Sequence, residues 1–121
     1  MKKILFVDDD VDLLAAIKIR LRQKGFEVAV TTSCNEGLEI LRTFNPDLIL
    51  LDVNVGDEDG RLMCRQIKEQ AEYEHIPVIL VSANVEAQKT YRDYRADNFI
   101  SKPFDFSGLF DTLSLYLHPL G

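Results

Sequence analysis

The stretch "DLILLDVNVGDEDG" at residues 47–60 joins two kinds of chemistry. Four aliphatic residues, Leu48 to Leu51, run straight into Asp52, and the chain then turns acidic before reaching Gly60. A short apolar run bounded by turn-forming residues reads as a strand buried on both faces, as in a parallel sheet covered by helices. The same design recurs four times. "ILFV" at 4–7 closes on Asp8, Asp9 and Asp10, "FEVAV" spans 26–30, "VILV" at 78–81 closes on Ser82, and "NFI" at 98–100 leads to Lys102.

Helical spacing fills the intervals. Val11, Leu14, Ile17 and Leu21 share one side of a first helix, and Gly25 stands where a helix C-terminus favours a left-handed residue. Ser33 with Glu36 forms a capping-box signature for the second helix, which ends near Asn45-Pro46. A third helix starts at Gly60 and turns Met63, Ile67 and Ala71 inward before Pro77. A short polar fourth helix lies in "VEAQKTYRDYR", and a fifth runs from about Ser107 to His118 with Leu109, Leu113, Tyr116 and Leu117 inward. Five β-α units predict an α/β fold of (βα)5 type: a doubly wound, five-stranded parallel sheet with helices on both faces. With no linker, repeat or low-complexity tract, residues 1–121 are expected to form one domain.

Composition narrows the function classes. Fourteen Lys and Arg against twenty Asp and Glu give a net charge of −6, which argues against direct nucleic-acid binding and is compatible with a soluble cytosolic protein and a site that collects cations. No apolar stretch is long enough for a membrane span or a signal peptide. Cys34 and Cys64 lack ligand-type spacing and are expected as free thiols in the reducing cytoplasm. His75 and His118 are expected at the surface.

In an open parallel sheet the functional groups gather beyond the carboxyl ends of the strands. That rule sends Asp8, Asp9, Asp52, Ser82 and Lys102 to one edge. Two unit charges about 4 Å apart repel by roughly 4 kcal/mol at an effective dielectric near 20, so such carboxylates take up protons or a cation. Oxygen donors without Cys or His suit a hard divalent ion, Mg²⁺ first in the cytosol. Cation, ammonium and hydroxyl around one carboxylate are what phosphoryl transfer requires, with Asp52 as the nucleophile. A lone Asp at a strand end is more often a turn or cap residue, and Asp8 to Asp10 alone would only cap a helix. Convergence with Asp52 and Lys102 is what favours chemistry.

"ILFVDDD", "LILLDVNVGDEDG", "IPVILVSAN" and "DNFISKPF", in this order, resemble the receiver domain of two-component response regulators, a flavodoxin-like fold, over essentially the whole chain. The resemblance implies that Asp52 is the phosphoacceptor and that Asp9, Asp8 through water, Asp52 and the carbonyl of Asn54 hold Mg²⁺. It implies that Ser82 follows the phosphoryl group, with small Ala83 leaving room, and that Lys102 pairs with it. The Lys102-Pro103 bond is then expected to be cis, and Phe99 stands at the aromatic switch position. The implied partners are a sensor histidine kinase or phosphotransfer protein, and a downstream target or homodimer meeting the surface of the fourth helix, fifth strand and fifth helix. Phe106, Phe110 and Leu115, left off the core side of the last helix, are expected to make that surface apolar. Asn54 and Asn84, at the positions that tend to set phosphoryl lifetime, imply minutes or less.

The chain also departs from the family pattern. Gly56 stands where a proline is usual and is followed by Asp57, Glu58 and Asp59, so this loop is expected to be looser and more negative. Arg95-Ala96 replaces a common Gly-Ala pair. Two other readings compete: a binding-only pseudo-receiver, and an aspartyl-phosphate hydrolase of the haloacid dehalogenase type, whose D-x-D motif here reads Asp52, Val53, Asn54. No glycine-rich nucleotide loop occurs.

Overall fold

Alternate residues of each strand enter different hydrophobic layers, and this sorts the molecule. A computed structural model describes residues 1–117. Its sheet consists of β1 (Lys3–Val7), β2 (Glu27–Thr31), β3 (Leu48–Asp52), β4 (Val78–Ser82) and β5 (Asn98–Ser101). All neighbours are parallel, in the order β2-β1-β3-β4-β5. The five strands with helices on both faces give the flavodoxin-like fold expected from the alternating pattern.

Ile4, Phe6, Leu48, Leu50, Ile79 and Val81 face a layer built by α1 (Val11–Gln23) and α5 (Phe106–Ser114). Leu5, Val7, Ile49, Leu51, Val78 and Leu80 face α2 (Cys34–Phe44), α3 (Gly60–Lys68) and α4 (Val85–Thr90). The central strands β3 and β4 are buried throughout, which is why they read as unbroken apolar runs.

Several local expectations are corrected. Val11, the first residue of α1, is 65% exposed, and the buried side of the helix starts at Leu14. Ser33 caps Glu36 N, but Glu36 gives no reciprocal bond, since its carboxylate accepts from Thr31 Oγ1 at 2.6 Å. Asn45 ends α2 in the left-handed conformation, φ 51°. The fourth helical stretch breaks after Thr90 into a 3-10 turn, Tyr91–Tyr94, and Arg95 takes φ 67°. A non-glycine residue in that region costs on the order of 1 kcal/mol. Arg95 Nη1 recovers part of it by donating to the Lys68 carbonyl at 2.6 Å.

The fifth helix begins at Phe106, capped by Asp105, and ends at Ser114; His118 lies outside the described residues. Phe106 and Phe110 do not form an exposed apolar face. They are half-buried against the α1 layer, stacked 6.1 Å apart, with Arg20 4.4 Å from the first ring and Lys24 4.9 Å from the second. Only Leu115 of the three, 71% exposed, points to solvent.

The third helix stops at Lys68, well short of Pro77, and Ala71 is exposed. A buried ammonium explains this. Lys68 Nζ donates to Glu74 O (3.1 Å), Ile76 O (2.8 Å) and Asp97 Oδ2 (2.7 Å), so residues 69–76 curl around it instead of continuing the helix. Tyr73 and Ile76 become the buried residues there. Asp97 Oδ2 also accepts from Val78 N at 2.8 Å, fastening the start of β4. Lys68→Met strips three acceptors of their donor; with Asp97 partly exposed the cost is expected at about 2–4 kcal/mol, read as a lower urea midpoint.

Candidate functional site

Strand register alone brings the polar residues level with one another. Val7 lies opposite Leu51, Asp52 opposite Val81, and Ser82 opposite Ser101, so Asp8, Asp52, Ser82 and Lys102 emerge together at the carboxyl edge. Asp8 N donates to Thr31 O, and Lys102 N to Ser82 O, extending the ladder to the site itself.

Lys102 Nζ lies 2.9 Å from Asp8 Oδ2 and 2.9 Å from Asp52 Oδ2, a single ammonium bridging the ends of β1 and β3. Asp8 is fully buried, Asp52 nearly so, and Lys102 is half-buried. Burial pushes the Asp8 carboxyl up to about 6 against the pull of Lys102, and the nearby Asp52 charge adds to the rise. Burial pulls Lys102 down, but its hydrogen bonds to Asp8 and Asp52 outweigh that and leave the ammonium above its usual range.

Asp9 points outward and accepts from Gly56 N at 3.2 Å. One oxygen from each of Asp8, Asp9 and Asp52 falls within 4.8 Å of the others, a spacing one ion can span. The donors are all carboxylate oxygens, so the set suits a hard divalent cation such as Mg²⁺. Asn54 is exposed, and its amide donates to Asp52 Oδ1 at 3.1 Å. Ser82 is buried; its Oγ accepts from Asn84 N at 2.9 Å and keeps its own proton for another acceptor. The Lys102-Pro103 peptide is cis. Phe99 stands apart from the cluster on β5, half-buried, its ring 5.9 Å from Tyr91.

The loop after Asp52 folds into a short ribbon. Asn54–Val55 pairs antiparallel with Glu58–Asp59, closed by Gly56 and Asp57. Gly56 has φ 64°, which proline, held near −65°, cannot adopt, so the glycine departure goes with a different turn. Two of the loop's acids are used as caps. Asp59 caps α3 and forms a two-pronged pair with Arg61, while Glu58 Oε1 accepts from Cys34 N at the start of α2. Sequence reasoning missed this role of Glu58 because its partner is 24 residues away and no local motif joins them. Gly60 is required by contact: a Cβ there would collide with the Asp52 carbonyl oxygen.

An α/β fold carrying an acidic, lysine-bridged edge defines a class of phosphoryl-handling signalling proteins, and comparison with known proteins agrees. A family model described as "Response regulator receiver domain" matches residues 4–114, and the chain belongs to that family, the receiver domains of two-component response regulators. The transcriptional regulatory protein CseB of Streptomyces avermitilis is 33% identical over 120 residues, 98% of this chain and 50% of its own length. The response regulator ArlR of Staphylococcus saprophyticus is 33% identical over 111 residues, 90% of this chain and 49% of its own. This chain therefore spans about half the length of the curated relatives it matches. Among solved structures, chemotaxis protein CheY4 of Vibrio cholerae superposes with TM-score 0.89 at 25% identity, covering 97% of this chain and 99% of that one. The BeF3-activated N-terminal receiver domain of Klebsiella pneumoniae RstA gives 0.86 at 26%, with the same coverages. Receiver domains generally use Mg²⁺, and response regulators interact with histidine kinases and phosphotransfer proteins.

Two outcomes follow from the geometry. Gly60→Ala forces the backbone beside Asp52 apart and is expected to cost about 2 kcal/mol or more in a denaturant titration. The raised Asp8 value means that the folded metal-free protein holds this proton more tightly than the unfolded chain does. Its stabilising contribution is complete below pH 4 and is lost as pH rises through about 6. Asp8→Asn should therefore be more stable than the parent at pH 8 by about 1–3 kcal/mol without metal, and the gap should narrow toward pH 4.5.

Proposed function

We propose that Asp52 is the phosphoacceptor of this receiver and that the site promotes its own phosphorylation and dephosphorylation. The observation that carries the reading is the single Lys102 ammonium 2.9 Å from both Asp8 and Asp52. It ties the ends of β1 and β3 together and puts a cation against the proposed nucleophile.

The donor is a phosphohistidine on a histidine kinase or phosphotransfer protein. An Asp52 oxygen attacks phosphorus in line, the P–N bond breaks as the P–O bond forms, and the histidine nitrogen leaves with the electron pair. A divalent cation, Mg²⁺ in the cell, held by Asp8, Asp9, Asp52 and the Asn54 carbonyl, would supply the remaining neutralisation of phosphoryl charge. Lys102 transfers one of its hydrogen bonds from the carboxylate to a phosphoryl oxygen. The Ser82 hydroxyl, free to donate, takes a second one. Asn54 and Asn84, exposed beside the site, orient water for the return hydrolysis.

Phosphorylation adds nearly two negative charges, enough to bias two conformations a few kcal/mol apart. Phe99 leaves its contact with Tyr91 as Ser82 moves, and the α4-β5-α5 surface changes for a downstream target or a second copy. With the last helix's aromatics covered by Arg20 and Lys24, the support for that surface comes from the Phe99–Tyr91 contact at α4's end, not from an apolar α5 face. The net charge of −6 supports the absence of direct nucleic-acid contact by this domain. Residues 1–121 form one receiver domain on this reading. A cytoplasmic setting is supported by two buried free thiols, Cys34 and Cys64, and no described helix is long and apolar enough to cross a membrane.

Incubation with Mg²⁺ and a small acyl-phosphate donor, followed by intact mass, tests the assignment. The parent protein should gain one phosphoryl group and Asp52→Asn none. No gain by the parent would favour a binding-only pseudo-receiver, and continuous release of phosphate from phosphomonoesters would favour a hydrolase.

A further inference from the structure

The ribbon at residues 54–59 is poorly supported by its own pairing, because a two-strand ribbon of two-residue strands is marginal by itself. It also carries Asp57, Glu58 and Asp59 beside a site already holding three carboxylates, so like charges push it outward. Yet two of its backbone amides hold the site's acids: Asn54 N donates to Asp52 Oδ1 and Gly56 N to Asp9 Oδ2. Something must keep the ribbon inward.

Val55 is buried in the core below the ribbon and Asp59 ties its far end to α3, while the anchor on the α2 side is Glu58. Its Oε1 accepts from Cys34 N at 3.0 Å, across the groove between α2 and α3. Cys34 is the first residue of α2, and its amide has no acceptor inside the helix. The local capping residues do not fill that gap. Ser33 Oγ takes Glu36 N, while the Glu36 carboxylate is drawn to Thr31 Oγ1 and Ser33 N also donates to Thr31 Oγ1. The helix therefore completes its cap with a residue of the ribbon, and its positive end holds a carboxylate that would otherwise be repelled.

We propose that Glu58 is a positioning residue for the cation site. By clasping the start of α2 it holds the ribbon in place, and the ribbon's amides keep Asp9 and Asp52 within reach of one ion. The role rests on the reading above that these carboxylates bind Mg²⁺.

Two variants separate the hydrogen bond from the charge. Glu58→Gln keeps an acceptor oxygen without the charge, and Glu58→Met keeps the bulk without an acceptor. Mg²⁺ affinity is measured by calorimetric titration, and amide hydrogen exchange is followed in the metal-free protein. Loss of one hydrogen bond of ordinary strength corresponds to about a fivefold change. Glu58→Met is expected to weaken Mg²⁺ by about that factor and to speed exchange at Cys34 and Gly56, with Leu50 in β3 unchanged. Glu58→Gln should stay within about twofold of the parent.

Parent-like Mg²⁺ affinity in Glu58→Met overturns the proposal. So does an equal loss in Glu58→Gln, since charge alone would then explain it, and so does faster exchange at Leu50, which marks general destabilisation. If the parent protein binds no Mg²⁺, the cation reading fails by itself. The exchange of Gly56 then decides whether Glu58 holds the ribbon, and an unchanged rate in Glu58→Met overturns that as well.

Discussion

One ammonium shared by two buried carboxylates is the interaction on which the carboxyl edge of this sheet depends. Asp8 and Asp52 are delivered side by side by neighbouring strands whose register leaves neither any freedom to retreat. Their repulsion would be severe in so dry a place, and Lys102, arriving from the far side of β4, offsets it at 2.9 Å from each. The offset is incomplete. Asp8 remains raised to about 6 because burial outweighs its partner, a repulsion that the cation proposed for this site would relieve. Strain of this kind at a site, held by a core that is regular everywhere else, is how a fold stores readiness to bind.

The opposite edge of the sheet uses the same side chain for a different end. Lys68 has all three of its N–H donors engaged by fixed acceptors, two carbonyls and Asp97, and is almost wholly buried. That arrangement is closed and serves packing. Lys102 gives two bonds to carboxylates and keeps about a quarter of its side chain open to solvent, so a third acceptor has room to approach. Two lysines at two edges of one sheet thus differ in the count of satisfied donors, which is what the phosphoryl contact proposed for Lys102 draws on.

Between the site and the region proposed to switch runs a set of side-chain contacts centred on α3 and the 3-10 turn. Asp59, at the end of the ribbon, grips Arg61 with both oxygens, and Arg61 lies 5.1 Å from the Tyr94 ring. Arg65 lies 4.6 Å from the same ring and donates to Asp93 O. Tyr91, in the same turn, meets Phe99 ring to ring at a tilt. The turn ends on the left-handed Arg95 and is closed by the bonds from Arg95 N to Arg92 O and from Ala96 N to Tyr91 O, with these arginines packed against its outer ring.

Much of this was legible before any coordinates. Apolar runs that stop one residue before Asp8, Asp52 and Ser82 specify buried parallel strands and, through the topology of such sheets, the edge where chemistry gathers. Periodicity also placed Leu14, Ile17, Leu21, Met63, Ile67, Leu109 and Leu113 in the core, because burial of those positions follows from helix geometry alone. Non-local pairings decided the rest. Nothing near Lys68 in the chain announces that it will be buried, that it will end α3 early or that Ala71 will be left outside; those follow from carbonyls and an aspartate assembled around it. Nothing near Glu58 announces the amide of Cys34, and the exposed aromatics expected on α5 are covered by cations of α1. Hydrophobic period is a property of adjacent residues and can be read in order, whereas a hydrogen bond between distant residues exists only once the sheet has brought its partners together.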